Sequence, residues 1–538
     1  MTGEHMRMNS IPNLILRGSV LLVVLLLLVT PLYLIIRTAE AGSELFDLFF
    51  RWRNAAIWGR TILLCVSVTA GTTVIAVPLA WLIERTDIPL RRFWSITAAL
   101  PLVIPSYVYA YLFIVTFGPK GTLQQWLQPL FGIERLPEIQ GFWGAFIVLT
   151  LIGYPYTYLS VRAALRNLDP NLAEAARSLG LTTRQALWQI ELPQLRPAIV
   201  AGGLLVALYA LRDFGAVTML RYSTFTRVIY IQYQSFFSRS QAAALAFQLV
   251  LIALVVLYAE HRTRGRARYQ RISVGVARSR KPQPLGRFKI PALLFAGSTV
   301  LFALIIPAAS LIFWVVRGLN QESGVRAIAG QSNVIEFWSL WEPALNSLTA
   351  SGLAAIITVI AAIPVTILIV RSKSRYSEFV EELSYSAFAL PGLVVALALV
   401  WFGANYALPL YQTLPLLLAG YVVLFIPQAI GNVRASLLQM SPHVEEAGRT
   451  LGENGVGVLR KITLPIIRPG LVAGGALVFL TAMKELPATL LLSPTGFNTL
   501  AVEVWTNISE AFFAQAALPT LLLLVLSSVP LAFLNAKN

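Results

Sequence analysis

The sequence predicts an all-α polytopic membrane protein with about twelve transmembrane helices, arranged as two homologous, parallel halves of six. Three observations predict it. The 538 residues are 57% hydrophobic and only 12% charged, with a mean hydropathy of +0.70, too apolar for a soluble chain of this length. Apolar runs near the length a bilayer requires recur along the whole chain. A polar stretch also occurs twice, Glu174 to Pro197 (EAARSLGLTTRQALWQIELPQLRP) and Glu446 to Pro469 (EAGRTLGENGVGVLRKITLPIIRP). Glu174 and Glu446, Gly180 and Gly452, Pro193 and Pro465, and Pro197 and Pro469 are each 272 residues apart, so one module has been duplicated and fused.

The first apolar run, about Gly18 to Ile36, follows Arg7 and Arg17. Ala39-Glu40-Ala41 behind it has the small-x-small look of a signal-peptidase site. The run nevertheless approaches the roughly 20 residues of a full span and exceeds a usual signal core, which favours a retained helix. Five more spans are expected near 60–84, 93–117, 141–165, 198–220 and 242–260, closing a first half at residues 1–260. Residues 261–289 carry ten Lys and Arg and no acid, a basic linker suited to an anionic inner leaflet rather than to nucleic acid. The second half, 290–538, repeats the plan with spans near 291–316, 346–370, 384–404, 412–432, 470–492 and 512–535.

Charge sets the orientation. With a cytoplasmic N-terminus, 28 Lys and Arg fall in inside segments and 10 in outside ones, the asymmetry of the positive-inside rule. Both termini, both polar stretches (loops 167–197 and 433–469) and the linker then lie in the cytoplasm. The net charge of +17 follows the membrane in this way and gives no separate reason to invoke nucleic acid. The single cysteine, Cys65, and three scattered histidines exclude intrachain disulfides and offer no zinc-type cluster.

Each polar loop reads as helix, turn, helix. Asp169-Pro170 and Ser441-Pro442 pair an N-cap side chain with a first-turn proline, and Gly180 and Gly452 permit the left-handed turn that ends a helix. With its Glu-Ala-Ala, Gly and Leu-Pro landmarks, the arrangement resembles the cytoplasmic EAA loop of ABC-importer permeases. The resemblance implies a type I importer permease fold in which the first short helix of each loop is a coupling helix seated on an ATPase subunit. Glu174, Ala175, Ala176 and Gly180, and Glu446, Ala447, Gly448 and Gly452, would make that docking surface. Gly448 departs from the pattern where Ala176 keeps it, at a cost of up to about 1 kcal/mol in helix propensity.

No G-x-x-x-x-G-K-[ST] phosphate loop is present, so the chain is not expected to be an enzyme or to bind a cofactor itself. The resemblance assigns ATP and magnesium to a cytoplasmic ATPase dimer, and delivery of cargo to a periplasmic binding protein at the bacterial inner membrane. The run from Lys484-Glu485-Leu486-Pro487 through Pro494-Thr495-Gly496-Phe497 to Trp505 further resembles fused permeases of ferric-iron importers, which implies iron(III) cargo and alternating access. Thiamine, sulfate, molybdate or polyamine permeases share the architecture and remain alternatives.

Charges inside a membrane are costly and mark candidate path residues. Arg212-Asp213 and Lys484-Glu485 occupy equivalent places in the span after each loop, and Tyr107 and Tyr111 share a helical face in the third span. Asp213, Glu485 and the tyrosines would suit a hard cation with oxygen ligands. Equally, the acids pair with neighbouring bases and brace a gate. A gradient-driven secondary transporter, which calls for inverted repeats and mid-membrane carboxylates, fits the parallel repeat poorly.

Overall fold

A computed structural model describes residues 12–40, 52–168, 178–182, 185, 187–235, 239–266, 282–320, 337–372 and 374–536. The described residues are helical nearly throughout. The main elements of the first half are α1 (Pro12–Glu40), α2 (Trp52–Arg85), α3 (Arg91–Thr97), α4 (Ser106–Phe117), α5 (Thr122–Phe131), α6 (Phe142–Asn167), α7 (Leu192–Arg212), α8 (Gly215–Met219), α9 (Phe225–Ser235) and α10 (Arg239–Arg266). The second half supplies α11 (Lys289–Val300), α12 (Ile306–Asn320), α13 (Trp341–Arg371), α14 (Arg375–Ser386), α15 (Gly392–Tyr406), α16 (Leu414–Leu438), α17 (Pro442–Thr450), α18 (Gly455–Val458), α19 (Leu464–Met483), α20 (Pro487–Leu492), α21 (Leu500–Ser509) and α22 (Phe513–Ala536).

Among the described residues nine helices are long and apolar enough to cross a membrane, or up to eleven if each of two bent pairs counts as one span, and Phe513–Val529 is a shorter apolar helix. The bent pairs correct two expected spans. The segment expected as 93–117 turns by 101° at Pro105, and the one expected as 384–404 turns by 112° at Pro391. Proline has no N–H to continue a helix and forces the preceding residue out of the helical region. Ile104 and Leu390 are accordingly extended, with ψ of 123° and 119°.

The spans expected at 198–220 and 470–492 are broken as well, because α7 stops at Arg212 before α8 and α19 stops at Met483 before α20. Asp213 has ψ of 127°, which takes it out of the helix. In the second half Pro487 opens α20 at a first-turn position, where its missing N–H costs nothing.

The packed units follow a different division from the sequence halves 1–260 and 290–538. One unit joins Met1–Gly42 with Ile335–Thr506 and Leu518–Asn538; the other joins Ser43–Val334 with Asn507–Ala517. In the first, α1 packs on α13 and α15, burying Val20, Val23, Val24, Leu27, Tyr33 and Leu34 along one face, with Tyr33 against Trp401 at 5.5 Å between ring centroids. In the second, α12 packs on α4, and the Tyr109 hydroxyl donates to the Phe302 carbonyl at 2.7 Å. The first span of each half thus completes the unit built mainly from the other half. Three mutually packed helices centre each unit: α2, α6 and α7 in one, α13, α16 and α19 in the other.

The middle of the basic linker, residues 267–281, falls outside the described residues, and its first residues continue α10 to Arg266. Its end docks on the tip of α2 through backbone bonds, Gln283 N–H to the Arg85 carbonyl at 2.8 Å and Asp87 N–H to the Gln283 carbonyl at 3.1 Å.

Candidate functional site

The two polar loops share a local design. Gly180 and Gly452 have φ of +92° and +89°, the left-handed turn anticipated from glycine at those positions. Around Gly452 the closure is a Schellman motif, with Gly452 N–H on the Arg449 carbonyl (3.0 Å) and Glu453 N–H on the Gly448 carbonyl (3.1 Å). The following turn is capped at matching positions. Gln185 N–H bonds the Thr182 hydroxyl (3.3 Å) while Thr182 N–H bonds the Gln185 side chain (2.9 Å), and Asn454 Oδ1 accepts from Gly457 N–H (2.7 Å). Both loops then run into the next long apolar helix through a π-helical turn, Leu187–Glu191 and Leu459–Thr463.

The short helix of the second loop expected to dock, α17, begins with Pro442 at its first turn, but the Ser441 side chain makes no cap bond. Glu446 and Ala447 face outward, Glu446 in contact with His443 at 3.0 Å. Gly448 is buried, and a Cβ there would come within 2.3 Å of Ile462 Cδ1, so the missing methyl lets α17 lie close to the π turn. The corresponding residues of the first loop, Glu174, Ala175 and Ala176, lie outside the described residues. Leu179 and Leu451, again 272 apart, are each 85% exposed just before the glycine turn. A bare leucine thus recurs at the same place in both loops, each next to the left-handed glycine.

The second candidate region is the pair of helix breaks. Asp213, 6% exposed, turns back as a cap: its Oδ1 accepts from the N–H groups of Ala216 (3.0 Å) and Val217 (3.2 Å), with Ser106 beside it. Its carbonyl takes the Thr226 hydroxyl at 2.6 Å. Glu485 does the same in the other unit, with Oε1 accepting from Ala488 N–H (3.2 Å) and the carbonyl from the Thr489 hydroxyl (2.6 Å), which in turn meets the Tyr421 hydroxyl at 2.7 Å. A Cβ on Gly392, the first residue of α15, would lie 2.3 Å from Glu485 Oε1. Ser106 and Gly392 are equivalent positions after the Pro105 and Pro391 bends. The shorter acid meets a serine and the longer acid a bare glycine.

Tyr107 and Tyr111 are both buried. Tyr107 lies against Gly215, where a Cβ would come within 2.6 Å of the tyrosine Cβ, while the Tyr111 hydroxyl donates to the Phe513 carbonyl at 2.5 Å. Arg212 and Lys484 are partly exposed and close a stripe on each span: Ala201, Leu205, Tyr209 and Arg212 on α7, and Ala473, Leu477 and Thr481 on α19 with Lys484 at its C-cap. These recur at roughly whole turns, so each stripe is one helical face. At its polar level Tyr209 packs at a tilt against Tyr156 (5.4 Å between centroids, planes 42° apart), and the Thr481 hydroxyl donates to Gln428 Oε1 (3.1 Å). Tyr156 and Gln428 are again 272 apart. Sequence reasoning passed over these four residues, although scanning that offset for polar pairs inside spans would have found them. Among the described residues no group of three or more His, Cys, Asp or Glu could hold a metal ion.

Residues 73–259 and 354–537 each match the family described as binding-protein-dependent transport system inner membrane component. The chain belongs to that family. It is 37% identical, over 94% of both chains, to the Fe(3+)-transport system permease protein FbpB 2 of Haemophilus influenzae. It is also 22% identical to the ferric transport system permease protein FbpB of Actinobacillus pleuropneumoniae, over 85% of this chain and 67% of the relative. The molybdenum transport system permease protein ModB of Escherichia coli is 30% identical over 29% of this chain and 69% of its own. This inner-membrane transport component carries the family domain twice, as the 272-residue repeat requires.

Proposed function

We propose that this permease moves iron(III) from periplasm to cytoplasm by alternating access, driven by a cytoplasmic ATPase dimer that uses ATP and magnesium and grips the two polar loops. The observation that carries the docking reading is the matched pair of bare leucines, Leu179 and Leu451, each set beside a left-handed glycine. Similarity over 94% of the chain to an Fe(3+)-transport permease supports the cargo. A periplasmic binding protein delivers it, and both termini face the cytoplasm by the arginine and lysine asymmetry.

In this reading Asp213 and Glu485 hold the two breaks, with Tyr107 packed beside one of them. The stripes ending in Arg212 and Lys484 line the path. Tyr156 and Tyr209 in one unit, and Gln428 and Thr481 in the other, offer the oxygen atoms suited to a hard cation or its oxygen-bearing complex. A second reading, an oxyanion such as molybdate or sulfate, is favoured by the bases standing on the partly exposed stripe. Uptake of radioactive iron(III) into proteoliposomes holding permease, ATPase and binding protein separates them. Iron uptake that ATP drives and molybdate does not compete away supports the first reading; ATP-driven oxyanion uptake without iron uptake overturns it.

A further inference from the structure

Arg85 and Arg371 end the second span of each half and are equivalent, yet their acids come from different places. In the first half Arg85 Nε lies 3.7 Å from Glu191, the last residue of the π turn, and its guanidinium donates to the Leu165 carbonyl at 2.9 Å. In the second half Thr463 stands at the position of Glu191. Arg371 Nε instead meets Glu445 Oε2 at 3.1 Å, and Glu445 Oε1 accepts the Thr463 hydroxyl at 3.0 Å. Glu445 belongs to α17, one residue before the motif glutamate Glu446, and the first loop has Ala173 at its position.

The second docking helix is therefore lashed by both oxygens of one carboxylate, to the end of α13 on one side and to the root of α19 on the other. In the first half Arg85 joins α2 to the root of α7 through Glu191, and Ala173, at the position of Glu445, has no carboxylate to offer.

We infer that Glu445, with Arg371 and Thr463, is a positioning joint that transmits movement of the second docking helix to the spans, and that the first half has no carboxylate at that position to do the same. The inference rests on the docking reading above. A push on α17 moves α13 and α19 with it, since a half-buried arginine and carboxylate held through paired polar atoms resist separation more than an exposed pair does. Coupling through such a joint is a difference in free energy between two states of the permease, so its loss shows in the yield of transport per ATP more than in ATP hydrolysis itself.

The test uses the full chain with its ATPase and binding protein in proteoliposomes, reading iron(III) imported per ATP hydrolysed, with ATPase retention on co-purification as the control. Glu445→Ala and Arg371→Gln are expected to keep the ATPase bound and to lower the ratio at least about fivefold, the lower end of ordinary coupling energies. The exchange Arg371→Glu with Glu445→Arg restores much of it. Glu445→Ala with Thr463→Glu, which copies the first half, restores thermal stability but not the ratio. Glu191→Thr lowers stability and keeps the ratio of the unaltered chain. Equal loss of the ratio in Glu191→Thr, or its full recovery with Thr463→Glu, overturns the joint and leaves a plain structural ion pair. Failure of the unaltered chain to retain the ATPase overturns the docking reading and the joint together.

Discussion

Gly392→Ser isolates what holds the break at Glu485. The new Cβ would start 2.3 Å from Glu485 Oε1 and 3.3 Å from its Cδ, so the carboxylate must swing away and release Ala488 N–H, which it holds at 3.2 Å. A lost side-chain cap costs about 1 to 2 kcal/mol, and the uncovered N–H lies among buried neighbours with no ready replacement. If the cap is already broken in the transition state for unfolding, that cost stays in the native state and shortens the unfolding half-life about 5- to 30-fold. The assay is the half-life of the monodisperse fraction in detergent at a fixed temperature, read by fluorescence size exclusion.

The companion variant is Gly392→Ser with Glu485→Asp, which installs the Ser106 and Asp213 pair in the second unit. It is expected to recover at least about 1 kcal/mol over the sum of the single changes, a coupling normal for residues in contact. A Gly392→Ser half-life equal to that of the unaltered chain, or a double variant no better than the sum, refutes the reasoning that acid length and glycine were matched.

Four further outcomes follow from the same geometry. Asparagine keeps an acceptor oxygen for the Ala216 and Val217 N–H groups, so Asp213→Asn is expected to transport at close to the parent rate, whereas Asp213→Ala loses about 1 to 2 kcal/mol of stability; transport abolished in the asparagine variant would show that the charge itself is needed. Leu179→Cys and Leu451→Cys, in a chain whose Cys65 is buried, should react with an impermeant thiol reagent only from the cytoplasmic face and be shielded by bound ATPase, and labelling of intact cells from outside would sink the orientation. Gly452→Ala forces a Cβ onto φ of +89°, costing about 1 kcal/mol at the Schellman turn, and is expected to weaken ATPase retention, measured by co-purification, without preventing membrane insertion. Tyr209→Phe with Thr481→Val removes the stripe hydroxyls and should lower the iron uptake rate with little change in thermal stability; an unchanged uptake rate removes them from the path.

Much of this protein was settled by the sequence alone, wherever the cause is local. Apolar length marks the spans, because a bilayer demands it of every helix separately. The 272-residue offset marks the duplication, and glycine at 180 and 452 foretold positive φ, since only local sterics decide that angle. The Pro105 and Pro391 bends were equally local and could have been read from the prolines. Packing decided what remained. The first span of each half completes the unit built mainly from the other half, and an all-apolar helix carries no mark of its neighbour. Asp213 and Glu485 left the helix to cap the next one, a choice that depends on Ser106 or Gly392 arriving from more than 90 residues away. The arginines kept their places in the repeat while their acids moved: Arg162 pairs with Glu84 but Arg434 with Glu381, and Arg85 with Glu191 but Arg371 with Glu445. An ion pair needs only its two ends close in space, so the sequence can lose the acid at one position and regain it at another, and only the folded chain shows which two ends meet.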